Sequence, residues 1–197
     1  MLKVGITGGI GSGKTTVCRV FELLEVPVYY ADDQAKNLYH EDPQLKEALK
    51  ATFGNEIFDH NNMLNKAKLA DLVFNKPSAL AQLNNLVHPA VRRDFTQWMQ
   101  AQNAFYVIQE AALLVESGSY QNLDYLITVT TPLETRTQRI VQRDHTTREK
   151  VLQRMNNQLN EEDKVAKSDF TITNDGSKLL IPQVLDVHHQ FKSGQAR

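Results

Sequence analysis

Five of the chain's nine glycines, Gly5, Gly8, Gly9, Gly11 and Gly13, lie within nine residues of one another near the N-terminus. Glycine loses more backbone freedom on folding than any other residue, so such a run is tolerated only where the backbone must do something a Cβ forbids. Its flanks say what kind of place this is. Residues 2–7 (Leu2, Lys3, Val4, Gly5, Ile6, Thr7) read as a short buried strand. Beyond the glycines, Val17, Val20, Phe21 and Leu24 recur at i, i+3, i+4 and i+7, one face of a helix over residues 15–25. Residues 26–30 are β-branched and aromatic, a second strand. Strand, glycine loop, helix and strand in succession form a βαβ unit, which requires a parallel sheet and a right-handed crossover.

Within that frame Gly8-Gly9-Ile10-Gly11-Ser12-Gly13-Lys14-Thr15 matches G-x-x-x-x-G-K-[ST] in full. The glycines let several backbone N–H groups converge on one anion, and the helix that starts near Gly13 adds its positive end. Lys14 reaches the outer phosphates as a point charge, and the Thr15 hydroxyl is a ligand for Mg²⁺. A ligand-free glycine turn is the bland reading, but the strand before and the helix after favour a nucleotide phosphate site. The overlapping dinucleotide-type pattern, with Asp32 or Asp33 as its distant acid, leaves Lys14 and Thr15 without a role.

Residues 31–102 read as helical, broken at Pro43, around 54–62 and near Pro77, and form an insertion on one edge of the sheet. Residues 105–110, 124–130 and 170–173 supply a third, fourth and fifth strand. Pro132 suits the first turn of a helix. Residues 133–167 read as two helical segments split near His145-Thr146-Thr147, and residues 178–191 as a closing helix. Composition adds exclusions. A net charge of −1 leaves no overall basic field for nucleic acid or a membrane surface, and neither is expected as a partner. No 18-residue apolar stretch and no signal peptide are seen, and the single Cys18 cannot pair within the chain, so a cytoplasmic protein is expected. The sequence carries no signal for oligomeric state.

Several carboxylates and cations are candidates for chemistry. Asp32 and Asp33 directly follow the second strand, at the carboxyl end where ligands of open α/β sheets bind. One is a candidate to orient or deprotonate a hydroxyl; the other reading is an N-cap for a helix beginning near Gln34. Glu110 ends the third strand, the place of a second Mg²⁺ carboxylate, and Glu116 is read in a helix after it. His88-Pro89 sits on an apolar helical face, where a satisfied core histidine is the ordinary outcome, and Pro89 is read as a kink or a helix start. Five of nine arginines, Arg136, Arg139, Arg143, Arg148 and Arg154, crowd into 19 residues. They suit a lid over a transferring phosphoryl group, or else a solvated face paired with Glu134, Asp144 and Glu149.

Taken together, the 8–15 loop, Ala31-Asp32, Leu83-Asn84-x-x-x-His88-Pro89, Leu113-Leu114-Val115-Glu116, Arg143-Asp144 and Arg154-x-x-x-Gln158 resemble the dephospho-coenzyme A kinase family over roughly residues 3 to 176. The resemblance implies a P-loop kinase fold of three α/β/α layers with a five-stranded parallel sheet. It implies a nucleotide-binding core (1–30, 103–131, 168–197), an α-helical coenzyme-A-binding region (31–102) and a helical lid (132–167). The implied reaction transfers the γ-phosphoryl group of ATP to the ribose 3′-hydroxyl of dephospho-coenzyme A, with Mg²⁺. Asp32 matches the general base, and Lys14 and Arg143 the groups that stabilise the transferring phosphoryl. Gly9, Gly11, Ser12, Gly13, Lys14, Thr15, Thr16, Arg139 and Asn174 match the ATP site, with Thr15 on the metal. Asp32, His88, Leu113 and Glu116 match the acceptor side. Two positions depart: Tyr30 stands where the family usually has Asp, and Ala112 where it has Pro. Another small-molecule kinase of nucleoside monophosphate type shares the loop, core and lid. A switch GTPase would need a guanine-reading Asn-Lys-x-Asp where this chain has Asn174-Asp175-Gly176. A module that binds nucleotide without turnover remains the third alternative.

Overall fold

The computed structural model describes residues 1–74 and 76–194. The glycine loop follows β1 (Leu2–Thr7), whose last four residues are all buried, and opens α1 (Lys14–Leu23). Next come β2 (Val28–Tyr30) and four helices: α2 (Ala31–Glu41), α3 (Pro43–Phe53), α4 (Lys66–Phe74) and α5 (Pro77–Gln100). Then follow β3 (Tyr106–Glu110) and β4 (Tyr125–Thr130). Three helices, α6 (Leu133–Asp144), α7 (Arg148–Met155) and α8 (Glu161–Val165), lead to β5 (Phe170–Thr173) and α9 (Leu180–Ser193). The five strands form one parallel sheet in the order β2-β3-β1-β4-β5. All five residues of β3 are buried, as expected of a strand covered on both faces.

The strand order places β1 at the centre, between β3 and β4. From β1 the chain runs out to β2 on one side, and from β4 it runs to β5 on the other. The ends of β1 and β4 therefore flank a topological switch point, where open α/β sheets bind ligands. The glycine loop begins there. Beneath it Val4, Ile6, Val17, Cys18, Phe21, Ile108, Ile127 and Phe191 pack with no exposed surface. Each such aliphatic or aromatic side chain contributes about 1.5–3 kcal/mol by leaving water.

Chain contacts divide the molecule into two compact units: Met1–Tyr30 with the chain from Gln102 onward, and Ala31–Ala101. The second carries α2 to α5, a short 3₁₀ turn and an isolated Phe58–Leu64 bridge, and has its own core of Leu38, Leu45, Leu49, Ile57, Leu64, Leu69, Leu83, Val87 and Ala90. Asp42 caps α3 by accepting the Gln44 and Leu45 amides, with Pro43 in the first helical position.

Several local expectations need correction. The stretch 133–167 holds three helices, because Asn160 accepts the Asp163 amide at 2.7 Å and starts α8 anew. Residues 112–117 are turn, so Glu116 is not helical. Helix α2 begins at Ala31, which puts Asp32 and Asp33 inside its first turn instead of at its cap. There they favour the helix through its dipole. Pro132 is the residue before α6, not within it. Pro89 lies inside an unbroken α5 and is not a helix start.

Candidate active site

The phosphate loop is held in shape from several sides. Gly8, Gly11 and Gly13 all have positive φ. At Gly13, the residue before α1, φ is +86°, and the Asn174 side-chain nitrogen occupies the space a Cβ would need. Any other residue there meets both backbone strain and a clash. Gly9 has no positive φ, but the tip of the Arg136 guanidinium lies against it, so a side chain there would displace that guanidinium. The Ser12 amide bonds back to the Gly9 carbonyl at 3.0 Å. The Asn174 amide and the Thr131 hydroxyl bond the Ser12 carbonyl at 2.8 and 3.0 Å. Arg139 donates to the carbonyls of Gly11 (3.5 Å) and Asn174 (3.0 Å). The protein thus ties down loop carbonyls, which fixes the direction of the amides between them.

Lys14 folds back to donate to the Gly8 carbonyl at 3.0 Å, and its ammonium lies 3.8 Å from Glu110 Oε1. Glu110 closes β3 in register with Ile6 and Tyr30, and is only 8% exposed. Thr15 and Thr16 are exposed at the start of α1, so the Thr15 hydroxyl is open to a ligand. Cys18 lies one turn further along the helix, fully buried. Burial, reinforced by the Glu110 and Glu22 carboxylates, pushes its thiol well above the ordinary range, so it is unreactive. Tyr30 donates its hydroxyl to Glu22 Oε1 at 3.0 Å. Burial and that bond push the phenol up. Where an acid was expected the chain has a hydrogen-bonded phenol, and the carboxylate beside Lys14 is Glu110.

The arginine stripe divides. Arg136 and Arg139 rest on the loop, and the buried Nε of Arg136 has no hydrogen-bond partner among the described residues. Arg143, 64% exposed, is turned onto Asp144 at 2.7 Å, and Arg154 meets the same carboxylate at 3.0 Å. Arg148 pairs with Glu134. These bonds raise the Arg143 guanidinium and lower the Asp144 carboxyl from their ordinary values.

After β3, Glu116 Oε1 accepts from Lys164 Nζ (2.7 Å) and from the Leu159 amide (3.1 Å), while its buried Oε2 has no partner among the described residues. Leu113 is 44% exposed despite its apolar side chain. The Ala112 carbonyl takes both the Thr7 hydroxyl (3.2 Å) and Lys164 Nζ (3.0 Å). Those bonds use the carbonyl, which a proline would also offer, so alanine at this position preserves them.

In the Ala31–Ala101 unit, Asp32 is exposed in the first turn of α2. Its neighbour Asp33 is engaged by Lys36 at 2.6 Å. His88 is half-buried on α5, and burial, with Arg92 nearby, holds its imidazole below its usual pKa.

The structure brings together Gly9, Gly11, Ser12, Gly13, Lys14, Arg139 and Asn174 around one loop. It adds Thr131, Gln158 and Lys164, of which only Gln158 stood in any sequence pattern. Thr131 and Lys164 act through tertiary contacts that leave no periodic trace.

A loop of this shape at the switch point of a parallel sheet, with a lysine and a buried carboxylate at its end, defines a P-loop nucleotide-binding protein. The dephospho-CoA kinase family model matches residues 2–179, and the chain belongs to that family, whose reaction is the final step of CoA biosynthesis. A dephospho-CoA kinase from Bacteroides fragilis is 39% identical over 187 residues, 94% of this chain and 91% of that protein. The crystal structure of TT1252 from Thermus thermophilus is 34% identical, with a TM-score of 0.84 over 95% of this chain and 96% of that one. Dephospho-CoA kinase from Campylobacter jejuni is 27% identical, with a TM-score of 0.69 over 98% of both chains.

Proposed function

We propose that the chain phosphorylates the ribose 3′-hydroxyl of dephospho-CoA with the γ-phosphoryl group of ATP, releasing CoA and ADP. The observation that carries this reading is membership of the dephospho-CoA kinase family over residues 2–179, joined to a prebuilt phosphate loop with Lys14 beside Glu110 and carbonyls fixed by Arg139 and Asn174. In it Gly9, Gly11, Ser12, Gly13, Lys14, Thr15 and Thr16 hold the triphosphate. Asp32 accepts the proton of the attacking hydroxyl, and its exposure leaves room for a large acceptor. Lys14 and Arg143 offset the charge that spreads over the transferring group. His88, Leu113 and Glu116 line the acceptor side, with Glu116 Oε2 left to accept a hydrogen bond from it.

Residues 31–102 form the acceptor-binding region and residues 132–167 the lid in this reading. Thr15 and Glu110 suit Mg²⁺, since both offer hard oxygen donors at the end of the loop. When bound, the ion neutralises charge on the triphosphate. A cytoplasmic location belongs to the same reading, supported by a single cysteine that is buried as a thiol.

The test is ADP release with dephospho-CoA, AMP, CMP and shikimate offered separately. Turnover with dephospho-CoA is expected. Turnover with one of the other three alone would replace this acceptor.

A further inference from the structure

Two adjacent residues in the corner between α7 and α8 reach different parts of the site. Gln158 Oε1 accepts the Ile10 amide of the phosphate loop at 2.9 Å. Leu159 gives its own amide to Glu116 Oε1 at 3.1 Å. That oxygen also takes Lys164 Nζ at 2.7 Å, and Lys164 is only 1% exposed. A buried ammonium is costly unless paired and hydrogen-bonded, so its contacts with Glu116 and the Ala112 carbonyl fix where α8 and the corner lie. Ile10 is held a second way. Its side chain packs against the cluster of Ile140, Val151 and Met155 on α6 and α7. This one residue of the loop is therefore gripped at amide and side chain by residues 140–158.

We infer that Gln158 is a positioning residue for the phosphate loop, and that Glu116, through the Leu159 amide, sets where Gln158 stands. The carboxylate assigned to the acceptor side and the loop that holds ATP are then joined through two residues. The inference rests on the reading above only for the acceptor role of Glu116. Its deciding readout is ATP binding without acceptor, so failure of dephospho-CoA turnover bears on that reading and not on this one.

ATP affinity is measured by calorimetry on the full chain without acceptor, together with KM for both substrates and deuterium exchange at the Ile10 amide. Gln158→Leu keeps the volume and removes the acceptor atom. It is expected to weaken ATP binding about five- to tenfold, the effect of one lost hydrogen bond, with KM for dephospho-CoA changed less than about twofold. Exchange at Ile10 is expected to accelerate. Leu159→Pro removes the amide donor to Glu116, and also fixes φ at 159 and restricts the Gln158 backbone, so it is expected to give at least the same ATP loss. Glu116→Leu with Lys164→Met replaces the ion pair by apolar groups and is expected to match it. If that pair does not fold, Leu159→Pro asks the same question from an exposed position. Combining Gln158→Leu with Leu159→Pro is expected to add less than about twofold, since both break one chain of contacts. ATP affinity within about twofold of the parent in Gln158→Leu, or additive losses in the combination, would overturn the proposal.

Discussion

The phosphate loop and the candidate base are held in opposite ways. The loop is fastened at the Gly8, Gly11 and Ser12 carbonyls and the Ile10 amide, by Lys14, Arg139, Thr131, Asn174 and Gln158. Asp32 stands exposed in the first turn of α2, in the unit that carries its own helical core. Amides aimed at developing charge help most when they need no reorganisation during the reaction, which explains the bracing. A base has the opposite requirement: it must meet a hydroxyl on a large, incoming molecule. Hydrogen bonds fasten the phosphate loop, whereas the candidate base Asp32 is exposed.

The largest effect is expected of Lys14→Ala. Removal of the loop's own cation is expected to lower kcat/KM about 10³-fold or more, with circular dichroism unchanged. A loss below about tenfold would mean that the braced loop is not the donor site. Next is Asp32→Asn, expected to lower kcat about 10²-fold or more with ATP affinity nearly intact. A change under about threefold would remove Asp32 from the base role. The two arginines then test bracing against exposure on one helix. Arg139→Ala is expected to raise KM for ATP about five- to tenfold through loss of loop contacts, whereas Arg143→Ala acts mainly on kcat. The reverse pattern would exchange their roles.

The smallest effect lies away from the loop, where the Tyr106 hydroxyl and His188 Nδ1 share a buried 2.7 Å hydrogen bond. Burial, then Lys192 and His189, hold the His188 imidazole below its ordinary value. Between that lowered value and about 6.5 the unfolded chain binds more protons, so stability falls as pH falls through this window. His188→Gln is expected to reduce the drop in melting temperature between about pH 7.5 and 5.5. An unchanged drop would assign the pH dependence to other groups, His88 first, whose imidazole is shifted the same way.

The donor side was legible because its residues are contiguous: a strand, eight loop residues and a helix carry their own pattern. The five strands and the helical run of 31–102 followed from periodicity and punctuation. The contacts that fasten the loop depend on partners distant in sequence. Asn174 meets Ser12 across 162 positions, and Gln158 meets Ile10 across 148. The break before α8 turned on Asn160 acting as a cap, a local signal overlooked in a polar stretch. Residues 112–117 suit a helix by composition, but Thr7 and Lys164 pin the Ala112 carbonyl that opens a turn there.

The burial of Cys18 has a consequence for an enzyme whose product carries a free thiol. Oxidised CoA, a disulfide, exchanges with accessible protein thiolates, leaving a mixed disulfide and releasing one CoA thiol. Here the chain's single sulfhydryl is shut in beneath the phosphate loop and kept protonated. Cys18 is thereby out of reach of exchange with oxidised CoA, and activity is expected to persist in oxidised CoA and without added reductant.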